Sequence, residues 1–258
     1  MLGRNLVAIR EAHNAAKSFV SKPVEKVTKI GSGLTVATVE RNGPLAQLVL
    51  AFKAGSRFEK ANQSGLAHTI RNFVGRDTQE YFGTSIVWSS SAAGAALKAF
   101  TTRDLFGVAL TIPRDQVSTG LSILGQAAAV PGFKPWEIED VLPTMRADNG
   151  FRTHYDYLVD GIHKAAYRNG GLGNPIFSPC CRIGSIDTQT LSEFTEKHFV
   201  SGNGILYATN AFHEDMILYG ENFSPIKPGN AVSTPQSVYK VSVRFHSKNR
   251  KGEIHISN

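Results

Sequence analysis

Ser64-Gly65-Leu66-Ala67-His68-Thr69-Ile70-Arg71-Asn72-Phe73 holds the residues on which the reading of this chain turns. Asn62 or Ser64 can cap a helix running through His68 to about Val74, because short polar side chains accept from the free amides of a first turn. Such a helix keeps Leu66, Ile70 and Phe73 on one side and sets His68 and Asn72, at positions i and i+4, together on another. This is the spacing of H-x-x-E-H, in which two neutral imidazoles hold zinc and a Glu acts as general base on the metal-bound water. Here Arg71 stands at the Glu position and Asn72 at the second His position. A guanidinium cannot act as a base and puts positive charge where a dication would lie, and a neutral amide is a weak zinc ligand. Read alone, one His on an amphipathic helix is a surface or core histidine, so its surroundings must carry the reading.

Outward from this helix, residues 34–39 and 47–53 are aliphatic and alternating, separated by Arg41-Asn42-Gly43-Pro44, and predict a hairpin-like strand pair. Residues 93–100 and 105–112, joined by Thr101-Thr102-Arg103-Asp104, predict a second hairpin, after which Asp115 opens a helix to about Val130. Pro135 and Trp136 open a long helical region whose Glu137, Glu139 and Asp140 suit a positive helix N-terminus, and Pro143 is expected to kink or interrupt it. Asp156, Asp160 and His163 share a later helix face; Lys164, four residues past Asp160, makes an ion-paired face the simpler reading than a metal or acid–base trio. Asn169-Gly170-Gly171-Leu172-Gly173-Asn174-Pro175 lacks the preceding strand and the Lys-Ser/Thr of a phosphate loop and reads as a connector. Asp187 caps a helix to about His198, and residues 204–209 read as a closing strand.

Several of these runs together resemble a known family. Gly33-Leu34-Thr35-Val36-Ala37-Thr38-Val39-Glu40, Val49-Leu50-Ala51-Phe52-Lys53-Ala54-Gly55-Ser56-Arg57-Phe58-Glu59 and Ser64-Gly65-Leu66-Ala67-His68 are similar to the start of the pitrilysin and mitochondrial-processing-peptidase superfamily. Ala165-Ala166-Tyr167-Arg168-Asn169, Gly173-Asn174-Pro175-Ile176, Arg182-Ile183-Gly184-Ser185-Ile186 and His198-Phe199 continue the likeness in order, over about residues 31–210. It is greatest in the non-catalytic core-2 branch, whose members are subunits of ubiquinol–cytochrome c reductase. The resemblance implies an α+β fold with a mixed, largely antiparallel sheet and helices on one side, one half of a two-domain metallopeptidase-like architecture. It also implies a third zinc ligand, a Glu on a later helix, which aligns near Met145 or Arg146. Residues 141–157 contain no Glu, and their only acids, Asp148 and Asp156, fall elsewhere.

The resemblance therefore implies that His68, Arg71 and Asn72 are vestigial positions, with Arg71 filling the old metal pocket beside a nearby acid. It implies no catalysis, no metal and no cofactor. The expected role is structural, through contacts with other subunits of the respiratory complex and with a core-1-like chain first among them, on the matrix side of the inner membrane. The alternative is a non-catalytic accessory subunit that binds presequences or other extended peptides along the edge strand 93–100, since edge pairing uses backbone groups and needs no metal. The competing reading of that strand is a blunted edge, with Lys98 as its protective charge.

Composition agrees. Among 258 residues, 41% are hydrophobic, enough for a sizeable core. The most apolar stretch, 121–130, is broken by Ser122, Gly125 and Gln126, so no membrane span is expected. Arg4, Arg10, Lys17 and Lys22 against Glu11, with Leu2, Leu6, Ile9, Ala16 and Val20 at helical spacing, read 1–22 as a mitochondrial transit peptide, or else a frayed basic terminus. That segment supplies +3 of the formal +7, and no nucleic-acid motif accompanies the rest, so nucleic-acid binding is not expected. The two cysteines, Cys180-Cys181, are adjacent and read as plain thiols, a vicinal disulfide being the other possibility. The expected organisation is a peptidase-like domain over 30–220 and, over 221–258, a Pro/Ser/Gly-rich linker followed by the strand-like run 238–245, with the second homologous half absent.

Overall fold

The computed structural model describes residues 23–168 and 171–239, together with two short strands beyond them, 244–247 and 254–257. The segment 1–22, read above as a transit peptide, lies outside the described residues, as do 240–243 of the run 238–245.

Six strands form one sheet: β1 (Val24–Lys29), β2 (Thr35–Glu40), β3 (Leu45–Phe52), β4 (Ala96–Thr101), β5 (Phe106–Pro113) and β6 (Gly204–Thr209). Their order is β1-β2-β6-β3-β5-β4; only β2 and β6 run parallel. The sheet is thus mixed and largely antiparallel, as expected. Register follows from burial. Val36, Leu206, Leu50, Val108 and Ala99 lie in one row across five strands, and Thr38, Ala208, Leu48, Leu110 and Leu97 in the next. A slip of one residue would turn Leu48, Leu50, Val108 and Leu110, all at most 1% exposed, to the open face, at about 1.5–3 kcal/mol for each large aliphatic side chain.

Two expectations about the strands are corrected. β2 and β3 do not form a hairpin, because β6 enters between them, parallel to one and antiparallel to the other. The local hairpin is β1–β2, turned at Gly33 with φ +95°. For the same reason the strand 204–209 is interior to the sheet instead of closing it. The hairpin of β4 and β5 forms as expected and leaves β4 as an outer strand.

Helices cover the face that carries the leucine rows. α1 (Leu66–Phe73) lies beside β4, α2 (Gly83–Ala92) beside both β4 and α3, and α3 (Val117–Ala129) on β3 and β5. A Cβ at Gly120 would stand 3.0 Å from both Ile112 and Leu48, so α3 approaches the sheet where it has no side chain. α4 (Glu137–Gly150) packs on α1, followed by α5 (His154–Tyr167), α6 (Thr188–His198) and α7 (His213–Asn222), the last over β2 and β6. α2 and α7 carry no clear helical stripe and were not anticipated. α4 runs through Pro143 without interruption, contrary to expectation: Val141 and Met145, each 1% exposed, anchor the turns on either side, while Pro143 itself faces outward.

Beyond α7, residues 223–236 contain no helix or strand, and Val238 and Tyr239 are not in a strand. β7 (Arg244–Ser247) pairs antiparallel with β8 (Ile254–Ser257). No helix among the described residues is long and apolar enough to cross a membrane.

Candidate functional site

The start of α1 is held by a carboxylate that the sequence did not single out. Asn62 and Ser64 do not cap the helix. Its N-cap is Gly65, at φ +96°, and Glu59 accepts from the Gly65 amide at 2.9 Å and from the Ala67 amide at 2.8 Å. Burial pushes the Glu59 carboxyl up to about 8, against the opposing pull of the Ala67, Gly65 and Leu66 amides. Asn174 ties the loop after α5 to the same place, its amide donating to the carbonyls of Ser56 at 2.8 Å and Glu59 at 3.1 Å. A Cβ on Gly65 would lie 2.7 Å from the Ser178 Cα, so only glycine lets that loop close over α1.

The closed loop and α4 form a pocket around the pentad. Asp148 Oδ2 receives three donors: His68 Nε2 at 3.0 Å, Asn72 Nδ2 at 3.1 Å and the Arg71 guanidinium. Asp148 is therefore the acid that meets the pentad. It lies three residues past Met145, one helical turn along α4, whereas Met145 is buried in the core and Arg146 is exposed. The expectation that Asp148 falls away from the site is corrected: aligning by position points to Met145 or Arg146, but the turn of α4 presents Asp148 to α1. Asp156 is elsewhere, closing a capping box with Thr153 at the start of α5.

The hydrogen bonds assign the imidazole proton. The Ser178 amide donates to His68 Nδ1 at 3.2 Å, so Nδ1 is an acceptor and the proton of the neutral ring is on Nε2, where it serves Asp148. Burial drives the His68 pKa down to about 4; Asp148 pulls it up, and Arg71 and Arg152 push it down further. Asp148 is raised by burial, but hydrogen bonds from Asn72 and His68 and the charge of Arg71 outweigh that and hold it below the usual carboxylate range. Phe177 meets the His68 ring edge-on at 5.2 Å and carries the Arg71 guanidinium at 5.3 Å from its centroid. The role of this loop, which brings Phe177 and Ser178, has no signal in the sequence.

These groups do not fit a zinc ion. Both His68 nitrogens are engaged, Nε2 as a donor with no lone pair to offer. The Asp148 oxygen that His68 and Asn72 reach already has a guanidinium on it, and the pentad and Asp148 include no Glu. Among the described residues, no set of three or more His, Cys, Asp or Glu is placed to hold a metal. The arrangement is a closed hydrogen-bond and charge network, with neither a free base nor an open coordination position.

The other residues singled out lie apart from this pocket. Asp160 is paired, but not with Lys164: its Oδ1 accepts from Arg103 at 2.6 Å and its Oδ2 from Arg152, and these two arginines, both outside the helix, occupy its two oxygens. His163 stacks on Tyr167. Cys180 and Cys181 are exposed, free thiols. A larger cavity of about 750 Å³, between α3 and α7, contains no pentad residue.

Comparison with known proteins agrees with this fold. The family described as Insulinase (Peptidase family M16) matches residues 35–180. The chain is 28% identical over 215 residues to human cytochrome b-c1 complex subunit 2, mitochondrial, covering 83% of this chain and 47% of that protein. It is 24% identical over 234 residues to the Dictyostelium discoideum mitochondrial-processing peptidase subunit beta, covering 85% and 50%. The chain thus spans about half the length of the curated relatives it matches. The crystal structure of a protease from Helicobacter pylori shares the fold with a TM-score of 0.73 at 16% identity, over 84% of this chain and 54% of that one. A match across more than half of its residues, on a sheet and helices of the same fold, makes this chain a member of the insulinase family, peptidase family M16.

Proposed function

We propose that this chain is a non-catalytic, core-2-like structural subunit of mitochondrial ubiquinol–cytochrome c reductase, acting through protein–protein contacts on the matrix side of the inner membrane. One observation carries the reading: the Arg71 guanidinium occupies the Asp148 oxygen to which His68 and Asn72 also point. A fixed cation there substitutes for a metal electrostatically and supplies none of its chemistry, since it offers no coordination position and activates no water. His68, Arg71 and Asn72 are then remnants of a zinc pentad, retained as a strut between α1 and α4. The likeness to the b-c1 complex subunits favours mitochondrial placement and partners within that complex, a core-1-like chain among them. In this reading 1–22 is the targeting segment and 30–220 the peptidase-like domain.

A second reading rests on β4. It is an outer strand of the sheet with α1 beside it, and an extended peptide would pair with its outward backbone groups. A non-catalytic presequence-binding accessory subunit would use that edge, and the likeness to processing-peptidase subunits supports it less strongly.

The test is native-gel mass spectrometry of mitochondria carrying a tagged full chain, with zinc measured in the same band. Co-migration with the b-c1 complex without zinc is the expected result. Migration with the processing peptidase would favour the second reading, and stoichiometric zinc would refute the strut.

A further inference from the structure

The cavity of about 750 Å³ between α3 and α7 belongs neither to the pentad nor to the β4 edge. The two helices meet where the Tyr219 hydroxyl lies against Gly125, and the cavity opens beside the first turns of α3. Val117 and Leu121 form its apolar wall on one side, Leu218 and Phe223 on the other, with Phe212 at the start of α7. Phe212, Leu218 and Phe223 are 63%, 54% and 69% exposed, so the apolar surface runs out over the rim, where a small molecule held inside would leave it uncovered. A trough of this kind between two helices takes the apolar side of a third.

Charge selects the kind of helix. The chain is basic, at a formal +7, yet α3 has no charged residue and α7 has Glu214, Asp215 and Glu221 with no Lys or Arg. Arg114, on the cavity wall, is already held: its guanidinium donates to both Glu40 oxygens, at 3.0 and 2.9 Å, and lies 5.1 Å from the Phe212 centroid. Asp115 and Asp215 line the same cavity, and neither side chain has a hydrogen-bond or ion-pair partner among the described residues. Each stands at the positive N-terminal end of its helix, which offsets about half a charge, so the wall keeps about one net negative charge. Such a rim repels an acidic peptide or an anionic lipid surface and attracts lysine and arginine.

We propose that this groove docks an amphipathic helix of a partner subunit, apolar along one side and carrying Lys or Arg beside that stripe. The groove gives the structural role proposed above a contact surface, and it rests on that reading for the partner's being a subunit of the same complex.

The experiment is fluorescence titration of the full chain with a labelled peptide of leucine and lysine, about four helical turns long, with leucine at helical spacing along one side. Saturable binding at about 10–100 μM is expected, weakened about tenfold or more by Leu218→Gln and by Asp115→Asn combined with Asp215→Asn. Salt should weaken it less in the double variant than in the native chain. All three side chains are exposed, so the variants should fold, and their urea midpoints check it. Absence of binding up to about 1 mM, or equal binding by all the variants, overturns the proposal. So does a scrambled peptide of the same composition, or one of leucine and glutamate, that binds as tightly. A concentration-dependent dimer abolished by Leu218→Gln assigns the groove to a second copy of the chain and also overturns it. The titration needs no partner. Its failure with co-migration intact therefore removes the groove and leaves the structural reading, whereas groove-dependent binding without co-migration keeps the helix site and removes that reading.

Discussion

Asp148→Asn removes one charge from the network and keeps its shape, so it isolates what the carboxylate contributes. In the native chain Oδ2 accepts from His68, Asn72 and Arg71 together. Breaking a fully buried ion pair costs about 3–5 kcal/mol, and a charge-assisted hydrogen bond is worth about 1.5–3 kcal/mol. Arg71 and Asp148 are 19% and 28% exposed, so water can reach the stranded guanidinium and the lower range applies, about 2 kcal/mol. A second contribution comes from geometry. The amide oxygen can accept from the wholly buried His68, but the amide NH₂ then adds donors beside those of Arg71 and Asn72, for about 1 kcal/mol more. The expected loss is about 2–3 kcal/mol, read in urea as a midpoint lowered by about 1–1.5 M at an m-value near 2 kcal/mol/M. A double-mutant cycle with Arg71→Met should return a coupling of about 1–2 kcal/mol. A loss below about 0.5 kcal/mol, or additive mutants, would refute the claim that Arg71 and Asp148 hold α1 to α4.

His68 and His198 both have pKa values lowered to about 4, chiefly by burial, so the fold prefers them neutral; their stabilisation is present above about pH 6.5 and is lost as pH falls toward 4. Each should cost about 2 kcal/mol between pH 7 and 5, and a flat urea midpoint across that range would contradict it. Gly65→Ala should lower stability by more than about 3 kcal/mol, measured by thermal melting, because it combines a left-handed backbone with a clash against Ser178. Asn174→Ala removes a donor from two carbonyls, of which that of Ser56 keeps the Glu59 amide, and should cost about 1–2 kcal/mol in urea. Pro143→Ala, on the outer face of α4, should raise the melting temperature by restoring a helix amide, a gain of about 1–3 kcal/mol, and a fall would show that the proline serves a contact.

Much of the fold was legible where a local pattern carries the information. The alternation in 47–53 and 105–112, the turn at 101–104 and the cap at Asp187 each depend on residues close in sequence, and each appears as expected. The pairing of β2 with β6 did not. It joins residues about 170 apart, and nothing in either run states which neighbour it will choose. Lys164 illustrates the same limit, since i+4 spacing favours Asp160 only until Arg103 arrives from a distant part of the chain and Arg152 reaches over from just before α5.

At the site, residue types alone determined what is missing. Arg71 has no basicity to lend, and Asn72 has no imidazole, whatever surrounds them. Tertiary structure decided what replaced them. The phase of α4 turns Asp148 toward α1, and the loop folded over Gly65 brings Ser178 to His68 Nδ1, which sets the ring's proton on Nε2. Chemical capacity belongs to the side chain and is written in its identity, whereas protonation, pairing and metal fit depend on distances of about 3 Å between groups that only folding brings together.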